Sequence, residues 1–87
     1  MKDKMGEMRK MQDVLISFIQ EINPYDDFDE NTDLIEEGLL DSLSIVGLIA
    51  EIEKNGKEIP LSAIKIDNFA SVNAIMSLLK EIEKNSN

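Results

Sequence analysis

The chain has 87 residues and a mass of 9.8 kDa, enough for one small domain with a modest core and little room for an enclosed catalytic cleft. Hydrophobic residues make up 43%, too many for a disordered chain, while a net charge of -9 disfavours phosphate backbones and anionic lipid surfaces as partners. There is no Cys and no His, which excludes disulfides, thiolate and imidazole metal sites and the usual nucleophile–base pairs.

The first periodic stretch covers about residues 5–22. Met8, Met11, Leu15, Phe18, Ile19 and Ile22 recur at spacings of three and four, an apolar stripe on one side of a helix, with Val14 and Ile16 at its flanks. Met5 continues the spacing and reads as core or fraying edge. Pro24 forbids continuation. Residues 23–41 then read as a long loop, and nine acids between Glu21 and Asp41 face no base at all. A loop of this length in a compact domain generally has a task. Leu34, Ile35, Leu39 and Leu40 are apolar enough to pin it to the helices, and Phe28 is a further candidate anchor.

Asp41-Ser42 opens a second helix over about residues 42–55, with Leu43, Ile45, Val46, Leu48, Ile49 and Ile52 as its apolar positions. Asp and Ser are favoured N-caps because their side-chain oxygens accept from the free amides of the first turn. Gly56 suits a left-handed terminus. Gly47 lies inside the helix, where it costs about 1 kcal/mol relative to Ala, so something is expected to approach closely there. Ile59-Pro60 forces an extended link. Residues 61–66 form a short turn or helix, and Ser71 caps a last helix over about 71–84 with Val72, Ile75, Met76, Leu79 and Ile82 on its buried face. The tail 85–87 is expected to fray. The fold class is all-α: a bundle of three main helices plus a short fourth, in a single domain over residues 1–87.

Ser42 is the residue with chemical potential. It sits at a helix start, where amides and the macrodipole favour a phosphate group. No His or Cys is available to activate its hydroxyl, so a triad is excluded. Two readings remain open on the dipeptide itself: a helix cap, or an acceptor modified by an external enzyme. No catalytic residue and no metal centre is read from this chain.

The run Asp33-Leu34-Ile35-Glu36-Glu37-Gly38-Leu39-Leu40-Asp41-Ser42-Leu43 resembles the phosphopantetheine attachment segment of acyl carrier proteins, whose core is Gly-Leu-x-Asp-Ser-Leu. The likeness spans nearly the whole chain in length, acidity and helix layout. The form Glu-Glu-Gly-Leu-Leu-Asp-Ser, together with the Ile59-Pro60-Leu61-Ser62 and Phe69-Ala70-Ser71 segments, is similar to the D-alanyl carrier branch. The resemblance implies a stand-alone cytoplasmic carrier, monomeric and not itself an enzyme. Its 4'-phosphopantetheine would be attached to Ser42, beside Asp41, by a phosphopantetheinyl transferase using coenzyme A and Mg²⁺. A loading ligase or acyltransferase would charge the thiol with a cargo such as D-alanine, and an acceptor enzyme would unload it. An imported thiol accords with a chain that has no cysteine.

Fatty-acid carriers usually bear acids just after the Ser-Leu pair. Here Ser44 and Gly47 stand at those places, and Glu51 and Glu53 come later. The uncharged face formed by Leu43, Val46, Gly47 and Ala50 is therefore expected to be the docking face for the partner enzymes, by packing more than by salt bridges. A fatty-acid or polyketide acyl carrier is the alternative within the family. From another class comes an acidic interaction or weak divalent-cation-binding module without a prosthetic group. For that reading, Asp27, Asp29, Asn31 and Asp33 fall at positions 1, 3, 5 and 7 of a calcium loop, but Thr32 replaces the required Gly and Gly38 the bidentate Glu.

Overall fold

The structure, a computed structural model, describes residues 4–85; the ends of the chain, including most of the tail expected to fray, lie outside the described residues, as does the side chain of Met5. It contains three α-helices: α1 (Lys4–Ile22), α2 (Ser42–Lys54) and α3 (Val72–Asn85). No strand occurs among the described residues, and the all-helical bundle expected from the sequence is the one observed. α1 packs against both α2 and α3. Its Met11, Leu15 and Ile19, spaced by four, are buried against Ile45, Leu48 and Ile52 of α2 and Val72, Ile75, Met76 and Leu79 of α3. Ile22 belongs to the same sequence stripe but is exposed, because the last turn of α1 overruns the edge of the core.

α2 ends in a Schellman motif. The Gly56 N–H donates to Glu53 O and the Lys57 N–H to Ile52 O, at 3.0 and 3.3 Å. The reversal needs a left-handed residue, and Gly56 supplies it at φ 95°. α3 begins with the Ser71 hydroxyl accepting from the Ala74 N–H at 3.0 Å.

Between α2 and α3 the chain makes two 3-10 turns, Leu61–Ala63 and Ile66–Phe69, where the sequence suggested one turn over 61–66. Lys65 is extended and divides them. Phe69, read only as part of the approach to the last helix, is fully buried, while Leu61, Ile64 and Ile66 are exposed.

The long connection between α1 and α2 is ordered by its leucines and its backbone. Leu34, Leu39 and Leu40 are buried, each worth about 1.5–3 kcal/mol on a transfer basis, and Phe28 and Ile35 pack against the core. The Leu34 N–H donates to Ala70 O at 2.6 Å, and Leu34 O accepts from the N–H groups of both Leu39 and Leu40. Asn23 Nδ2 donates to Leu39 O at 2.8 Å, tying the end of α1 to the approach to α2. Farther along, the Asn73 N–H donates to Glu30 O.

Candidate functional site

The start of α2 divides labour between two adjacent residues. Asp41 is extended (φ -126°, ψ -177°); its Oδ1 accepts from the Ser44 N–H at 2.8 Å and its carbonyl from the Ile45 N–H at 2.9 Å. Asp41 is therefore the N-cap, and Ser42 is the first helical residue. The Ser44 N–H, with the Ser44 hydroxyl second, holds the Asp41 carboxyl below its ordinary range. Ser42 is exposed, and its hydroxyl has no hydrogen-bond partner among the described residues. The cap thus leaves a free primary hydroxyl at the positive end of a helix dipole, with surface on which an attached phosphodiester has room.

The segment leading to this hydroxyl is fixed from below. Gly38 (φ 76°) turns the chain, and Leu39 and Leu40 then bury their side chains while both amides bond to Leu34 O. Exposed Asp41 and Ser42 follow buried Leu39 and Leu40 directly. This is how Gly-Leu-Leu-Asp-Ser brings its serine to the surface.

Of the residues expected to form a docking face, Leu43 is 81% exposed, Val46 63%, and Ala50 is exposed as well. Gly47 is different. A Cβ built there would stand 3.2 Å from Phe18 Cζ of α1. The close approach that glycine permits is thus made by the protein's own first helix, and Gly47 belongs to the α1–α2 contact. A helical wheel sets Gly47 about 40° from Leu43 and about 100° from Val46, toward one side of that face, but it does not show how far the neighbouring ring reaches.

The acidic connection makes internal bonds. Asp29 Oδ1 accepts from the Asn31 N–H and the Thr32 hydroxyl, and these donors lower its carboxyl pKa, the Asn31 amide most. Asn31 Oδ1 accepts from Asn73 Nδ2 at 2.6 Å, and Asp33 Oδ1 from the Glu36 N–H at 3.0 Å. Three of the four calcium-loop positions are thereby committed to turns within the connection and to a contact with α3. No group of three or more acidic side chains suited to a metal ion occurs among the described residues.

Residues 13–83 match the family described as "Phosphopantetheine attachment site". The chain belongs to that family. It is also similar to curated relatives: 31% identical over 78 residues to a D-alanyl carrier protein of Bacillus mycoides (strain KBAB4), and 32% to those of Bacillus cereus (strains B4264 and AH187). Each alignment covers 86% of this chain and 99% of the relative. No solved structure gives a significant match. The protein is accordingly a carrier of the D-alanyl carrier branch, and its prosthetic group is 4'-phosphopantetheine.

Leu43 and Val46 stand on the face expected from the sequence, but the exposed apolar residues at 61–66 escaped it. Seven large hydrophobic residues are exposed among the described residues, and five of them lie at 43–46 and 61–66. Leu61, Ile64 and Ile66 carry no clean period of two or 3.6, so periodicity assigns them no face. The neighbouring Pro60, which has no N–H to pair and ends regular structure, was the available signal.

Proposed function

We propose that Ser42 is the attachment residue and that the group carried is an amino acid, D-alanine first. The observation that carries this reading is the division of roles at α2: Asp41 caps the helix, so Ser42 keeps an exposed and unengaged hydroxyl. The hydroxyl oxygen would attack the β-phosphorus of coenzyme A in the transferase, forming the phosphodiester. 3',5'-ADP would leave, and the proton would pass to a base of the transferase. The bound group supplies a thiol, which this chain does not encode. Ser42 then serves as a fixed anchor, while Leu43, Val46 and Ala50 beside it, and Leu61 and Ile66 in the following segment, offer apolar contact to the transferase, the loading ligase and the acceptor enzyme. The chain itself performs no catalysis.

The D-alanyl choice over a fatty or polyketide chain rests on the names of the relatives and on the uncharged Ser44 and Gly47 after the Ser-Leu pair. The test is mass spectrometry after incubation with coenzyme A, Mg²⁺ and a broad-specificity transferase. One phosphopantetheine increment is expected on Ser42 and none on Ser42→Ala. An increment on the folded Ser42→Ala variant would move the site elsewhere. The modified protein is then offered D-alanine with a D-alanine-activating ligase and ATP, or a fatty acid with an acyl ligase. Preferential loading of the fatty acid would overturn the cargo assignment.

A further inference from the structure

At the pole of the bundle away from Ser42, the ends of α2 and α3 meet the segment that follows Gly56. Between them lies an open groove of about 690 Å³. Its lining includes the apolar side chains of Ile59, Leu78 and Ile82 and the carboxylates of Glu53, Glu58 and Glu81, and no basic residue is among the lining residues. A second cavity of about 520 Å³ adjoins this trough and shares Glu53, Glu58 and Ile82 with it. Its one base, Lys57, is already paired with Glu83 at 3.1 Å.

The charges here are placed against the helices. Glu53 lies in the last turn of α2 and Glu81 toward the end of α3, where the helix macrodipole is itself negative and cations are favoured. Neither Glu58 nor Glu81 has an ion-pair partner among the described residues. Lys54 and Lys84 already oppose the dipole in those last turns but do not line the groove, so an occupant with cations at its margins and an apolar stripe at its centre would relieve the like-charge repulsion among Glu53, Glu58 and Glu81. It would also cover Leu78 and Ile82, which are only partly buried.

We propose that this trough is a docking site for a basic amphipathic helix of a partner protein. An isolated small cation would leave the apolar floor uncovered, and an anionic membrane or nucleic acid would be repelled. A helix with Lys or Arg flanking a leucine stripe matches both the floor and the rim. Glu53 lies eleven positions along α2 from Ser42, about 16 Å at the helical rise, so this occupant does not cover the attachment residue. The site gives the carrier a second point of attachment that stays engaged while enzymes act at Ser42.

The probe is a synthetic Leu/Lys amphipathic helical peptide, with a scrambled peptide of the same composition as control, titrated into the full ¹⁵N-labelled chain and into its phosphopantetheinylated form. Expected are shift changes centred on Ile59, Ala63, Leu78 and Ile82, equal in both forms, and a loss of affinity of at least about tenfold in Glu58→Gln/Glu81→Gln. Equal binding of the scrambled peptide, changes centred on residues 26–37, or no binding at millimolar peptide would each overturn the proposal. Sedimentation of the chain alone provides a further check: self-association abolished by the same double variant would assign the trough to a second copy instead. Because the unmodified chain is assayed too, the outcome is separate from whether Ser42 accepts the prosthetic group.

Discussion

Gly47 offers the sharpest test of how the bundle is put together. A helix-interior glycine lacks about 0.8–1.0 kcal/mol that alanine would supply. At Gly47 the added Cβ would lie 3.2 Å from Phe18 Cζ and 3.8 Å from Cε2, against an ordinary carbon–carbon separation of about 3.5–4.0 Å. Phe18 is only partly buried, so its ring can tilt by the few tenths of an ångström required. The tilt belongs at the low end of the roughly 0.5–1.5 kcal/mol associated with an off-rotamer side chain. Gly47→Ala is therefore expected to gain about 0.3–0.5 kcal/mol, well short of the full propensity difference. Gly47→Leu cannot be accommodated by a tilt and should lose about 1–3 kcal/mol through overpacking. Phe18→Leu removes Cζ, the ring atom that crowds the site, together with Cε2. In that background Gly47→Ala should recover nearly the whole ~1 kcal/mol propensity gain, and the penalty of Gly47→Leu should fall by at least about 1 kcal/mol. Urea denaturation of the parent, the three single variants and the two double variants supplies both cycles. In a domain of this size 1 kcal/mol corresponds to about 4–8 °C in Tm, so thermal melts give an independent reading. If Gly47→Leu costs the same with and without the Phe18 ring, the glycine is not there to admit that ring. If Gly47→Leu folds with unchanged stability but slows cargo transfer, the residue faces a partner after all.

Gly56→Ala meets no neighbouring atom, so its cost is conformational alone: about 1–2 kcal/mol from the left-handed backbone, measurable by urea denaturation and expected to be unaffected by salt. Asp29 and Asp41 both release their protons more readily in the folded protein than an ordinary carboxylate does. The folded state thus binds fewer protons, and the stability these groups add is complete above the usual carboxylate range, near pH 4, and is lost as pH falls below it. Asp41→Asn keeps a capping oxygen without the titration, so its stability should decline less than the parent's between pH 4 and pH 2; an identical acid profile would remove Asp41 from the account.

The helices were legible because each pairs a period near 3.6 with chemical stops: Pro24 after α1, Gly56 after α2 and Ser71 before α3. The serine was legible because Gly38 to Leu43 is a local arrangement, in which turn, burial and cap are set by adjacent residues. What stayed hidden depended on partners far away in the chain. The ring of Phe18 is 29 positions before Gly47, and the carboxylates of the trough come from α2, the connecting segment and α3. Leu61 and Ile66 were misleading in the opposite sense. They look like core residues by type, yet the extended Lys65 divides their segment into two short turns, and Phe69 takes the buried place.

The double use of Leu34 has a consequence for protein engineering. Its N–H is held by Ala70 and its carbonyl receives two amides from the stretch just before the serine, so that stretch is hung from a residue outside the attachment motif, which in turn hangs from the doorstep of α3. Transplanting residues 38–43 onto another helix would carry over the letters but not the hook from which they are suspended. A functional graft would have to begin no later than Leu34 and would need a carbonyl waiting where Ala70 provides one. A tag made from the short motif alone should thus present its serine in many orientations, and the longer cassette in one.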